Sequence, residues 1–169
     1  MSYSNCCGHN DCRPCVEYIP CFGPTGPVGP TATNQFLTLG AVAGTTTIPT
    51  TQTPITFSAN LADNGPDISA TVPTNTITLA PNHSYYVSYN INTNASGAGT
   101  LSGVLVLNGT SIPSSTANTF TTVASSASLA AGTIVTVPPT APLPLQLAVV
   151  GSLGIFTLAN ASISVIELI

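Results

Sequence analysis

Lysine is absent from this 169-residue chain, and arginine occurs once, at Arg13. Charged residues make up 4% of the sequence, where a globular domain carries about a quarter. With a net charge of −4 and a pI near 4.4, no basic stripe is available to neutralise phosphates, which excludes nucleic acid as a partner. Long hydrophobic runs are missing as well. A membrane-spanning helix needs about 20 consecutive apolar residues. The best stretch, LPLQLAVVGSLGIF at 143–156, is broken by Pro144, Gln146, Gly151, Ser152 and Gly154, so membrane insertion is not expected. MSYSNCCGHNDC at the start has neither a basic nor an apolar segment, and no secretory signal is expected. A chain that is 43% hydrophobic yet neither spanning nor secreted is expected to hide its apolar faces against copies of itself.

What is present divides into three segments. Residues 1–22 form a head that holds all five cysteines, Cys6, Cys7, Cys12, Cys15 and Cys21. Residues 23–30 form a connector, in which Gly23, Gly26 and Gly29 recur every third position with Pro24, Pro27 and Pro30 among them. Collagen requires that period because only glycine fits at the axis of a triple helix. So few triplets cannot hold three chains together, but polyproline geometry at about 3.1 Å per residue makes the ten residues 21–30 a spacer of roughly 30 Å. Residues 31–169 form a body without cysteine, whose only formal charges are Asp63, Asp67 and Glu167.

The cysteine head admits several chemistries. Cys12-x-x-Cys15 with His9 nearby could hold zinc, but no second ligand pair on a small scaffold accompanies it. A redox motif would need a surrounding βαβ pattern. An odd number of cysteines leaves at least one unpaired within the chain, which favours pairing between subunits or a free thiol. Inter-subunit disulfides through Cys6, Cys7, Cys12, Cys15 and Cys21 fit best, and they require an oxidising setting.

The body reads as β-sheet, being rich in Thr, Val and Ile and punctuated by Pro, Gly and Asn. Strands are expected at FLTLGAV (36–42), TITLAP (76–81), SYYVSYNINT (84–93), LSGVLVL (101–107), TFTTVA (119–124), GTIVTV (132–137), LQLAVV (145–150) and SISVIELI (162–169). Strict alternation in the third of these puts Tyr85, Val87, Tyr89 and Ile91 on one face and Tyr86, Ser88, Asn90 and Asn92 on the other. Asn108-Gly109 is a strong hairpin signal. Short strands with turns between them predict an all-β sandwich or barrel with very little helix. Two strands carry apolar residues on both faces. Val104, Leu105, Val106, Leu107, Val165, Ile166 and Leu168 are therefore candidates for an interface with neighbouring subunits; the alternative is that loops or edge strands of the same chain cover the second face.

Polar chemistry in the body is sparse. Asp63, Asn64 and Asp67 could offer oxygen ligands to calcium, although an ordinary Asp-Asn-Gly turn is the preferred reading. His83 precedes the tyrosine-rich strand without a second body histidine or a nucleophile motif, so no catalytic residue, no cofactor and no enzymatic activity are expected. Sequons at Asn82, Asn94, Asn108 and Asn160 are what a Thr- and Asn-rich chain produces by chance. With no lysine and with Arg13 followed by Pro14, the chain offers trypsin essentially no cleavage point.

TITLAPNHSYYVSYNINTNASGAGTLSGVLVLNGTSIPSS (76–115), then GTIVTV and LPLQLAVVGSLGIFTLANASISVIELI, resembles the C-terminal domain of BclA-like collagenous glycoproteins of Bacillus spores. The resemblance covers roughly residues 31–169 and is strongest from residue 76 onward. It implies a trimeric jelly roll of the tumour-necrosis-factor type behind an extended N-terminal connector, a spore-surface location and a structural role. It also implies other spore-surface proteins as partners, synthesis in the mother-cell cytoplasm, and threonine O-glycosylation. Two features depart from that family. Its collagen-like region is usually long, and its leader is not a cysteine cluster. The Cys6-Cys7 pair followed by further cysteines instead resembles the N-terminal connectors of bacillary endospore appendage fibres. The expected function is a self-assembling subunit of a spore-surface fibre or nap; the alternative is a trimeric adhesin or receptor-binding module.

Overall fold

The computed structural model describes residues 34–41 and 46–168. The five cysteines, together with Gly23, Pro24, Gly26, Pro27, Gly29 and Pro30 of the connector, lie outside the described residues. Twelve strands follow one another: β1 (Phe36–Ala41), β2 (Thr53–Pro54), β3 (Ala59–Asn64), β4 (Ile68–Ser69), β5 (Ile77–Leu79), β6 (Ser84–Ala95), β7 (Gly99–Leu107), β8 (Thr110–Ser111), β9 (Ala117–Thr121), β10 (Ser125–Thr136), β11 (Leu143–Gly151) and β12 (Phe156–Leu168). Among the described residues, helix is limited to two 3₁₀ turns, Pro113–Ser115 and Ser152–Gly154, and no helix is long and apolar enough to cross a membrane.

Two antiparallel sheets result. The first has the order β10-β6-β12-β1-β3 and the second β4-β5-β11-β7-β8, with β2 also pairing with β11 and β9 with β7. Neighbours in the sheets are far apart in sequence, as β1 beside β12 and β6 beside β12 show. This is the crossing pattern of a jelly roll, and the protein is an all-β jelly-roll sandwich.

Period-2 alternation sets the core. Leu37 and Leu39 of β1, Tyr85, Val87, Tyr89 and Ile91 of β6, and Ile163 and Val165 of β12 point in from the first sheet. Leu101 and Leu105 of β7 and Leu145, Leu147 and Val149 of β11 meet them from the second. The Asn108-Gly109 turn forms as the dipeptide predicts. Both residues take positive φ, 47° and 77°, and the turn pairs Leu107 with Thr110 and Val106 with Ser111.

β2, β4 and β8 are two-residue strands that the sequence did not announce, and three longer elements also exceed the expectation. β10 begins at Ser125 and β12 at Phe156, because Ser, Ala and Asn, weak strand formers alone, are held by long ladders to β6. β3, ANLADN, has no apolar alternation to reveal it. It is an exposed edge strand ordered by pairing with β1.

Candidate assembly surface

The face of the first sheet turned away from the core is almost free of charge, and its residues line up across strands. Ile134 pairs with Tyr86, Tyr86 with Ile166, and Ile166 with Phe36. These four side chains form one apolar row over β10, β6, β12 and β1. Each is open to solvent: Ile134 62%, Ile166 44%, Tyr86 42% and Phe36 37% exposed. At about 4.8 Å per strand the row is roughly 14 Å long.

Small side chains make up the next two rows. They run Gly132, Ser88, Ser164, Thr38 and then Ala130, Asn90, Ser162, Gly40. Gly132 gives room to the Tyr86 ring, since a Cβ at this position would stand 2.6 Å from the Tyr86 hydroxyl. Thr38 and Ser164 hydroxyls are 3.1 Å apart. Toward the far end, amides replace hydroxyls. Asn92 Nδ2 donates to Asn90 Oδ1 at 2.6 Å and to Asn160 Oδ1 at 2.7 Å, while Ser128 Oγ donates to Asn92 Oδ1 at 2.6 Å. The face thus grades from an apolar row to a self-satisfied amide network.

The seven apolar candidates read from the sequence are distributed differently. Leu105 and Val165 are fully buried in the main core, because alternation turns them toward their own chain. Val104 and Val106 sit on the other side of β7, buried with Ala148 in a small second cluster. Leu107 and Leu168 are half-buried. Ile166 alone of the seven is exposed, and it lies in the apolar row. Phe36, Tyr86 and Ile134 were not among the interface candidates. The alternation of SYYVSYNINT does place Tyr86 outward, but its alignment with residues fifty to eighty positions away depends on register, which no local pattern carries.

The calcium candidates separate. Asp63 and Asn64 belong to β3, where Asn64 Nδ2 donates to the Asn34 carbonyl at 2.6 Å. Gly65, at φ 89°, then bends the chain. Asp67 lies beyond the bend, and its ligand atom comes within 4.8 Å of those of His83 and Glu167. His83 Nδ1 and Glu167 Oε1 are in direct polar contact. Glu167 faces inward at the end of β12, opposite Tyr85 of β6, and is 5% exposed. Burial pushes the Tyr85 phenol up to about 12, helped by the charges of Glu167 and Asp67 and opposed by the hydrogen bond that it donates to the Ala80 carbonyl. Burial also raises the Tyr89 phenol. A cleft of about 310 Å³ on another part of the sandwich is lined by threonines and apolar residues such as Thr46, Ile48, Ile55 and Leu158; no acid, base or thiol is among its described lining residues.

Fold and surface together define a jelly-roll domain with one open, uncharged, partly apolar sheet face. No family model matches the sequence, and no curated protein matches it. Solved structures do. The chain is similar to the globular domain of zebrafish complement 1qA protein at 16% identity and a TM-score of 0.53, over 78% of this chain and 94% of that one. It is similar to murine APRIL at 10% identity and a TM-score of 0.55, over 79% and 100%. It is also similar to Eiger TNF from S. frugiperda at 16% identity and a TM-score of 0.52, over 80% and 94%. At these identities the likeness is one of fold, and the sandwich is of the tumour-necrosis-factor and complement 1q type.

Proposed function

We propose that this protein is a structural subunit of a bacterial spore-surface fibre or exosporium nap. Three copies associate through the outer face of the first sheet, and the trimers are joined by the N-terminal connectors. The observation that carries the reading is the row Phe36, Ile166, Tyr86 and Ile134, which is aligned across four strands and left open on a single chain. Covering the exposed parts of these side chains contributes roughly 3–6 kcal/mol per chain. The small-residue rows beside them let a second backbone approach closely. Residues 34–168 contain no lysine or arginine, so no cationic repulsion opposes self-association and no salt bridge is needed to direct it. The collagen-like glycine period at Gly23, Gly26 and Gly29 supports a count of three.

The spore-surface assignment rests on the resemblance to BclA-like glycoproteins, and the head's role rests on its cysteines and the likeness to appendage connectors. On this reading the chain is made in the mother-cell cytoplasm and meets oxidising conditions when that cell lyses, the setting that inter-subunit disulfides require.

Electron microscopy and light scattering of the purified chain, with and without reductant, test the proposal. Filaments built of trimeric units are expected, shortened or dissolved by reductant or by removal of residues 1–22. Discrete trimers under all conditions that bind a glycan or protein ligand would favour the adhesin reading. Monomers at every concentration would overturn both.

A further inference from the structure

Residues 34–168 contain three acids and one histidine. Two of the acids and the histidine converge on one point. Asp67, His83 and Glu167 come from three separate segments, and their ligand atoms all lie within 4.8 Å of one another. Asp67 immediately precedes β4 of the second sheet, whereas Glu167 is the last inward-facing residue described in β12 of the first. His83 stands at the entrance to β6. The group therefore closes one end of the sandwich, between the two layers.

Backbone hydrogen bonds hold all three segments. The Asp67 N–H donates to Gln35 Oε1 at 3.3 Å, and its carbonyl accepts from the Ala80 N–H at 2.8 Å and the Tyr85 hydroxyl at 3.3 Å. The His83 carbonyl accepts from Val137 N–H at 2.9 Å, and Glu167 N–H donates to the Gln35 carbonyl at 3.1 Å. Glu167 is 5% exposed on its side chain and His83 37%, so the cluster is walled on the core side and open on the other. The cluster sets two carboxyl groups against one imidazole, an oxygen-and-nitrogen donor set, and residues 34–168 contain no lysine or arginine.

We propose that Asp67, His83 and Glu167 bind a divalent zinc ion that clips the two sheets together at this end of the sandwich. One imidazole nitrogen and two carboxylate oxygens, with water in the fourth position, make a tetrahedral zinc set with bonds of about 2.0–2.2 Å. Two ligand atoms on such an ion stand about 3.4 Å apart, so His83 and Glu167, now in direct contact, must part slightly while Asp67, within 4.8 Å of both, moves in. The ion replaces the direct contact between His83 Nδ1 and Glu167 Oε1. Calcium is a poor match because it takes 6–8 oxygen ligands, and the Asp67 carbonyl is already engaged. Gln35 and Tyr85 fix the Asp67 backbone, through its N–H and its carbonyl, and so the point from which its carboxyl group projects.

The test uses the full chain with its cysteine thiols alkylated, so that the head cannot contribute thiolate ligands. After chelator treatment and dialysis against zinc, the alkylated chain is expected to retain one zinc ion per chain and to melt at a higher temperature than its metal-free form. Cobalt in place of zinc should give visible d–d bands without a thiolate charge-transfer band. Asp67→Asn and His83→Gln, checked for folding by circular dichroism, should each weaken zinc binding about tenfold or more. An alkylated chain that takes up no zinc or cobalt, or that binds calcium in preference, overturns the proposal and leaves a hydrogen-bonded ion pair only. Undiminished zinc binding in both variants overturns it equally.

Discussion

Tyr86 of β6 lies across Gly132 of β10, so that a Cβ built on the glycine would stand 2.6 Å from the phenolic oxygen and 3.1 Å from the ring carbon that bears it. The contact is on the open face of the first sheet, and it makes Gly132 a determinant of where Tyr86 points. Gly132→Ala is expected to push the ring off its place in the apolar row while leaving the core untouched. Loss of about 1 kcal/mol per chain corresponds to roughly fivefold weaker association per interface. Sedimentation equilibrium together with the melting curve of the dissociated chain measures both sides of this. A lowered melting temperature with unchanged association would show that the ring serves the fold rather than assembly.

A stronger disruption should come from charge. Ile134 and Ile166 are exposed in the single chain, so Ile134→Asp and Ile166→Asp remove almost nothing from its core. In a trimer closed over this face, each would bury an unpaired carboxylate near two symmetry copies of itself, a cost of several kcal/mol. Both variants are expected to be folded monomers by circular dichroism and light scattering. Trimers of normal affinity in both would exclude this face as the interface.

The sequence foretold these outcomes unevenly. The strand at Tyr85–Ile91 and the Asn108-Gly109 turn were legible because their signals are local: strict alternation and a dipeptide that tolerates positive φ. β3 was not, since ANLADN owes its extended form to β1 beside it. The assembly face was visible only in fragments. An apolar Ile166 stood out in SVIELI, but Tyr86 and Ile134 acquire meaning only through the ladders that place them side by side. Val104 and Val106 were ambiguous for the same reason, as a run apolar on both faces does not say what covers the second one; in the single chain they are buried beside Ala148. Asp67, His83 and Glu167 are separated by 16 and 84 positions, and only closure of the sandwich brings them together.

High pH probes the end of the core at Tyr85. The phenol is neutral when protonated, and in the fold its value rises from 10.0 to about 12, so the folded chain holds this proton more tightly than the unfolded one. The associated stability is intact below pH 10 and is lost as pH climbs toward 12. The melting temperature should therefore fall over that window. Tyr85→Phe should flatten the fall in part, with the remainder due to Tyr89, whose phenol is also raised. An equally steep fall in the variant would remove Tyr85 as the cause.

Tyr89 offers the sharpest test of how the core handles polarity. Its hydroxyl lies 2.7 Å from the Ser115 carbonyl and 2.9 Å from that of Gly103. The Ser115 side chain is itself fully buried: its Oγ accepts from the Leu105 N–H at 2.9 Å and donates to the Ile112 carbonyl at 2.7 Å. Tyr89→Phe keeps the ring but withdraws the donor from two backbone acceptors inside the sandwich. Leaving such a group without its partner costs about 1–3 kcal/mol, and each kcal/mol lowers the melting temperature of a domain of this size by about 2–4 °C. Tyr86→Phe is the control, because its hydroxyl sits on an exposed residue, and it should leave the dissociated chain's melting temperature almost unchanged. Equal effects from the two substitutions would mean that the buried hydrogen bonds of Tyr89 add nothing beyond what water supplies to Tyr86.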